Sequence, residues 1–171
     1  MTRDISLLLI RPIIAKTRNG ISEQNLANYI VGAFNGGANP QPLYDEVVRH
    51  GFADAILNLS KTRLKLRMNP DALHEGTPII LQRTRDGYSE STLANVVEVA
   101  GHPQWMYDEV VRHGFADAVT QIKQAKPNIR ADSGSAYEGL GVLSAKVGNG
   151  YSQEHVRAFL QAVGLNNLIS L

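Results

Sequence analysis

Twelve residues, YDEVVRHGFADA, occupy positions 44–55 and recur at 107–118 without a single difference. A chain carrying one string twice, 63 residues apart, is expected to fold as similar units, so the repeat sets the architecture first. The likeness spreads upstream: KTRNGISEQNLANYI at 16–30 aligns with RTRDGYSESTLANVV at 83–97 and with KVGNGYSQEHVRAFL at 146–160. The first two segments lie 67 apart, so the first copy carries four extra residues (67 minus 63), which fall in its NGGANPQ loop. The sequence reads as two full units and a third that stops early.

Each unit reads as helical. Leu26, Tyr29, Ile30 and Ala33 in the first copy, which adds Phe34, match Leu93, Val96, Val97 and Ala100 in the second. Val156, Phe159, Leu160 and Val163 play the same part in the third. The i, i+3, i+4, i+7 spacing makes one apolar helix face. Ser22, Ser89 and Ser152 precede these helices as N-caps, each contributing about 1 kcal/mol, and Glu23, Glu90 and Glu154 suit the positive end of the helix dipole. A shorter helix before each is expected to begin at Pro12 and Pro78 and to end at a left-handed glycine in the NG, DG and NG pairs. The duplicated string supplies a third helix, with Leu43, Val47 and Val48, or Met106, Val110 and Val111, as its buried stripe. His50 and Gly51 read as its end, with Phe52 folding back on Val47; FADAILNL and FADAVTQI then add a further helical turn or two. A continuous helix through Gly51 keeps the same periodicity.

The expected fold is therefore all-α, built as tandem three-helix units packed as a helical repeat. The first unit covers 1–60, a basic linker 61–72, the second unit 73–125, another linker 126–137 and the truncated third unit 138–171. The glycine-rich run GSAYEGLGVLSAKVGNG reads as a flexible entry into the third unit.

Composition narrows function by exclusion. With 17 basic and 16 acidic residues the formal net charge is +1, so no global field attracts a polyanion and any basic site is local. Without cysteine there is no disulfide, thiolate metal site or cysteine nucleophile. The most apolar run, ISLLLI at 5–10, is too short to cross a bilayer, which points to a soluble chain, cytoplasmic or inside a particle assembled there. No GxSxG, P-loop or dinucleotide-type glycine turn occurs. The loops around Gly20 and Gly87 lack the acids of a calcium-binding loop.

Three site readings compete. Asp45, Glu46, His50 and Asp54, with their copies Asp108, Glu109, His113 and Asp117, have the residue types of a catalytic or metal site, since Glu46 and His50 share a helix face. The plainer reading gives the acids to the first turn and Arg49 and His50 to the last turn of one helix, matching its dipole; neither a metal nor a cofactor is expected. A nucleic-acid reading rests on Lys61, Arg63, Lys65 and Arg67, with Arg83 and Arg85 nearby, whereas a helix-turn-helix would aim Asp108 and Glu109 at phosphates.

The favoured reading is a non-enzymatic structural or protein-binding chain, partnered with itself or another protein as part of a larger assembly such as a viral particle. Its expected interaction residues are Trp105 and Met106, beside the short GHPQWM loop, and the stripe Val156, Phe159, Leu160 and Val163 with Leu168 and Ile169. The surplus ISLLLI segment is the alternative cover for that stripe.

Overall fold

A computed structural model describes the backbone of residues 2–18, 22–149 and 151–165, and the side chains from Leu8 onward within those ranges. The described residues form ten helices and no strand: α1 (Thr2–Arg18), α2 (Glu23–Asn35), α3 (Gln41–Arg49), α4 (Ala53–Ser60), α5 (Pro70–Asp86), α6 (Glu90–Val99), α7 (Gln104–Arg112), α8 (Ala116–Ala125), α9 (Ser133–Lys146) and α10 (Gln153–Ala162). The all-α expectation is met. Two compact units result, Met1–Arg83 and Thr84–Leu171, with the division inside α5.

The duplicated string does not form one helix. Gly51 sits at φ +70° and Gly114 at φ +71°, a left-handed backbone that breaks the helix in both copies. The Gly51 N–H donates to the Val48 carbonyl and the Phe52 N–H to the Val47 carbonyl, a Schellman closure. Beyond the break a separate helix begins, α4 in the first copy and α8 in the second. Each repeated stretch thus holds four helices, α1 to α4 and α5 to α8, rather than three.

Three further expectations are corrected. Pro12 and Pro78 lie inside α1 and α5 instead of starting them. A proline costs a helix interior one N–H bond, and here buried side chains on both sides, Ile10 and Ile14 in α1, Leu73 and Ile80 in α5, hold each helix across it. Gly87 does not adopt the left-handed conformation expected of the DG pair, while Gly20 and Gly150 lie outside the described residues. The run expected as a flexible entry is helix α9, capped by Asp132 and burying Ser135, Ala136, Gly139 and Leu143.

In the first unit α2 packs on α4, and α1 on α2 and α3. In the second, α6 packs on α8, α7 on α9, and α10 on α8 and α9. Ser22 and Ser89 cap α2 and α6 as expected, each hydroxyl accepting a backbone N–H three residues on. Val47, Val48, Val110 and Val111 are fully buried. No helix among the described residues is long and apolar enough to cross a membrane.

Candidate functional site

The duplicated block ends each time against the next helix but one. In the first unit the carboxyl end of α3 meets α5; in the second, α7 meets α9. The approach is so close that a Cβ on Gly76 would sit 1.9 Å from the Val48 carbonyl oxygen, and one on Gly139 would sit 1.9 Å from that of Val111. Only glycine fits at these two positions. Gly76 and Gly139 are themselves 63 residues apart, and so are the acids before them, Glu75 and Glu138. The repeat therefore includes the partner of the block as well as the block.

Around that contact the polar side chains are engaged in matching ways. Arg49 bridges Glu46 at 2.7 Å and Glu75 at 2.5 Å; Arg112 bridges Glu109 at 2.5 Å and Glu138 at 2.8 Å. All these side chains are a third exposed or more, apart from Glu46, so each pair contributes no more than about 1 kcal/mol and serves chiefly to fix rotation. The Gln41 amide donates to the Asp45 carboxylate (2.7 Å) and to the Arg67 carbonyl (2.8 Å). Gln104 repeats this with Asp108 (2.9 Å) and the Arg130 carbonyl (2.5 Å). His50 and His113 stack on Phe52 and Phe115, and a cation covers each phenyl ring: Arg83 at 5.0 Å and Lys146 at 4.6 Å from the centroids.

The first-turn acids of α2 and α6 also reach further than their own helix. The Glu23 carboxylate accepts the Ala55 N–H at 3.0 Å, and Glu90 accepts those of Asp117 and Ala118 at 3.0 and 3.2 Å, so each closes the start of α4 or α8. In the second unit Glu90 additionally accepts the Tyr151 hydroxyl. Burial pushes Glu90 above the ordinary carboxylate range, offset in part by its backbone donors. Burial likewise lowers Lys146, opposed by Glu90 and helped by Arg85. Beside them His155 faces Asp117 at 3.4 Å and meets the Tyr151 ring edge-on.

These side chains resemble the ingredients of an acid–base site, but their geometry is that of helix closure. The two oxygens of Glu90 face two N–H groups and a phenol, and the Lys146 ammonium lies between two rings. Among the described residues no group of three or more His, Asp or Glu side chains is placed to hold a metal ion. The nearest cleft, about 590 Å³, is lined by Arg85, Arg112, His113, Tyr137, Glu138 and Val142; it lies beside the helix contact and does not include Glu90 or Lys146.

The expected interaction residues separate. Met106, Phe159 and Leu160 are buried, so they are core and offer no surface. Phe159 packs toward Gly139 on α9, and α10 also packs on α8, so the middle of the stripe expected to be uncovered is covered inside its own unit. Trp105, Val156 and Val163 are half-buried. Leu168 and Ile169 lie outside the described residues. Of the basic set, Lys61, Arg63, Lys65, Arg67 and Arg85 are exposed, whereas Arg83 is drawn to Glu23 and Phe52.

What sequence reasoning missed is the partner helix. The EG pairs at 75–76 and 138–139 are the visible signal, at the same 63-residue spacing as the block. No protein-family model, curated protein or solved structure matches the chain.

Proposed function

We propose that this chain is a non-enzymatic helical-repeat protein that works by self-association, as a subunit of a larger assembly. One observation carries the reading: the polar groups of the duplicated block that look most like chemistry are engaged inside their own unit, the acids with side chains of their own helix and Arg49 and Arg112 also with a glutamate on the next helix but one. Asp45, Glu46, Arg49 and His50, like Asp108, Glu109, Arg112 and His113, each have partners within their unit. A repeat whose copied residues act in packing supplies a surface rather than a reaction centre.

The surface that supports self-association is on α1. Leu8 and Leu9 are 62% and 54% exposed. By the 67-residue offset they stand where α5 carries Glu75 and Gly76. A leucine in that glycine's place cannot accept the end of an α3-type helix, since even a Cβ would strike a carbonyl. The exposed ridge is therefore suited to a different contact, and a second copy offering the same ridge makes a closed, two-fold pairing.

Sedimentation equilibrium tests this. Wild type should be a dimer or larger, and Leu8→Ser with Leu9→Ser should give monomers with unchanged helical circular dichroism. A wild type that is monomeric at tens of micromolar overturns the reading.

A further inference from the structure

The segment between α4 and α5 has a feature that the self-association reading leaves unused. Lys61, Arg63, Lys65 and Arg67 are exposed, while Thr62, Leu64, Leu66 and Met68 between them are half-buried. The chain turns at 61–63 and runs free of helix and turn from Leu64, where an extended backbone sets alternate side chains on one side about 6–7 Å apart. Lys65 and Arg67 therefore share one exposed side, Lys61 and Arg63 stand exposed on the turn before it, and the residues between the four cations are half-buried.

The segment is fixed at both ends. The Gln41 side chain holds both backbone groups of Arg67, donating to its carbonyl at 2.8 Å and accepting its N–H at 3.0 Å. At the other end the Thr62 hydroxyl donates to the Leu59 carbonyl (2.6 Å) and accepts the Leu64 N–H (3.3 Å). The Tyr44 hydroxyl reaches the Met68 sulfur at 3.5 Å. The backbone is held, and none of the four charged ends is in an ion pair with a described residue. Positioning charges in advance lowers the ordering cost of binding a polyanion.

The second copy provides an internal comparison. Residues 61–69 read KTRLKLRMN, four cations and no acid; 63 positions on, QAKPNIRAD has two cations and one acid. There Asn128 replaces Lys65, and the acid is Asp132. The Gln104 clasp on the Arg130 carbonyl is retained although the charge row is not. The clasp therefore belongs to the repeat, and the charge row belongs to the first copy alone. On a chain of net charge +1 this is a local concentration.

We propose that residues 61–67 bind the phosphodiester backbone of nucleic acid, without base specificity. A run of cations suits a linear polyanion. It suits a membrane surface poorly, since Leu64 and Leu66 are half-buried and leave little apolar surface to insert. No aromatic side chain lies in the row to stack on bases, so recognition is of phosphates only.

The test is fluorescence anisotropy with a labelled 20-nucleotide oligo(dT) and a 20-base-pair duplex over a salt series. Four phosphate contacts give a slope of log K on log salt of about −2.8 for the single strand, so a fourfold rise in salt should weaken binding about 50-fold. Replacing Lys61, Arg63, Lys65 and Arg67 with glutamine should bring the slope close to zero, with circular dichroism and sedimentation unchanged. Lys126→Gln with Arg130→Gln should leave the slope near the wild-type value. Gln41→Ala should weaken binding a fewfold and keep the slope, because it frees the backbone without removing charge. Absence of wild-type binding at 50 mM salt overturns the proposal, as does a slope that survives the fourfold glutamine variant. Equal displacement by poly-glutamate at matched charge also overturns it, since that makes the row a general anion exchanger. The Leu8→Ser, Leu9→Ser variant should bind the oligonucleotide as wild type does, which separates this proposal from self-association.

Discussion

The two copies of YDEVVRHGFADA hold the same backbone contact and differ in what surrounds it. In both, a valine carbonyl lies against a glycine on the partner helix, and an arginine joins two glutamates across the gap. Beyond that core the neighbours diverge. His50 meets Arg18 in the first copy, whereas the His113 ring bonds the Glu109 carbonyl at 2.8 Å in the second. The Tyr44 hydroxyl finds the Met68 sulfur; Tyr107, its copy, is buried with no hydrogen-bond partner for its hydroxyl among the described residues. Identity is kept where side chains pack against a helix, and relaxed in residues outside the block, as where Ala131 stands for Met68. That is the pattern of a packing unit.

The largest effect should come from charging the shared core. Val47→Asp or Val110→Asp places an ionised group at a fully buried site, which costs upward of about 4 kcal/mol. Hydrogen exchange should lose protection first in the unit that carries the substitution, residues 2–83 for Val47 and 84–165 for Val110. Equal loss across both units in both variants would mean that the two copies do not stabilise separate bodies.

Acid should separate the copies by sign. His50 lies below its ordinary value, through burial first and Arg18 second, with Glu46 opposing. Arg49 also lowers it and Glu75 raises it. Its contribution is therefore complete above the usual histidine pKa and is lost as pH falls through the lowered one. Glu90 is raised, so its contribution is complete below the usual carboxylate pKa and is lost as pH rises through the raised one. Acidification from neutral pH should weaken the first unit through His50 and strengthen the second through Glu90. His50→Gln should flatten the acid-side loss, and Glu90→Gln should remove the gain, both read from thermal midpoints between pH 4 and 7. Midpoints of both variants that track wild type at every pH would remove these two groups from the account.

The smallest effect concerns the tyrosines, whose phenols burial pushes up to about 12, with Asp45 and Asp108 adding to it. Tyr107→Phe removes a buried hydroxyl that has no partner among the described residues and should be neutral or stabilising by up to about 1 kcal/mol. Tyr44→Phe loses a weak bond to sulfur and should cost about 0.5 kcal/mol. Ala131 stands 63 residues beyond Met68, so Ala131→Met should restore an acceptor to Tyr107 and make Tyr107→Phe costly. An unchanged Tyr107→Phe value in that background would show that the two sites differ in more than this one atom.

Much of this is legible in the residues. The 3.6 periodicity marks the cores of α2, α6 and α10, and the serines mark two of their caps, because both signals are local. The Gly51 closure is legible for the same reason. The contact between α3 and α5 is not, since it joins residues whose pairing no local period encodes. Gly139 shows the difficulty. A glycine beside Gly134 and Gly141 reads as looseness, yet it lies in α9 because a neighbouring carbonyl leaves no room for a Cβ. Phe159 and Leu160 read as an open face because no counterpart of α3 follows them, yet α10 packs on α8 and α9.

Urea unfolding of Gly76→Ala, Gly139→Ala and Gly141→Ala tests the packing account most directly, because the alternatives differ in sign. Alanine in a helix interior is favoured over glycine by about 1 kcal/mol where nothing intervenes. Gly141 has open space around its Cβ position, so Gly141→Ala should stabilise by up to that amount. Gly76→Ala and Gly139→Ala should instead destabilise by about 3 kcal/mol, and Gly139→Ala by more, since the Phe159 ring also lies 2.9 Å from the added carbon. If all three substitutions stabilise alike, the helices do not meet where the repeat places them, and the identical string was copied for something other than packing.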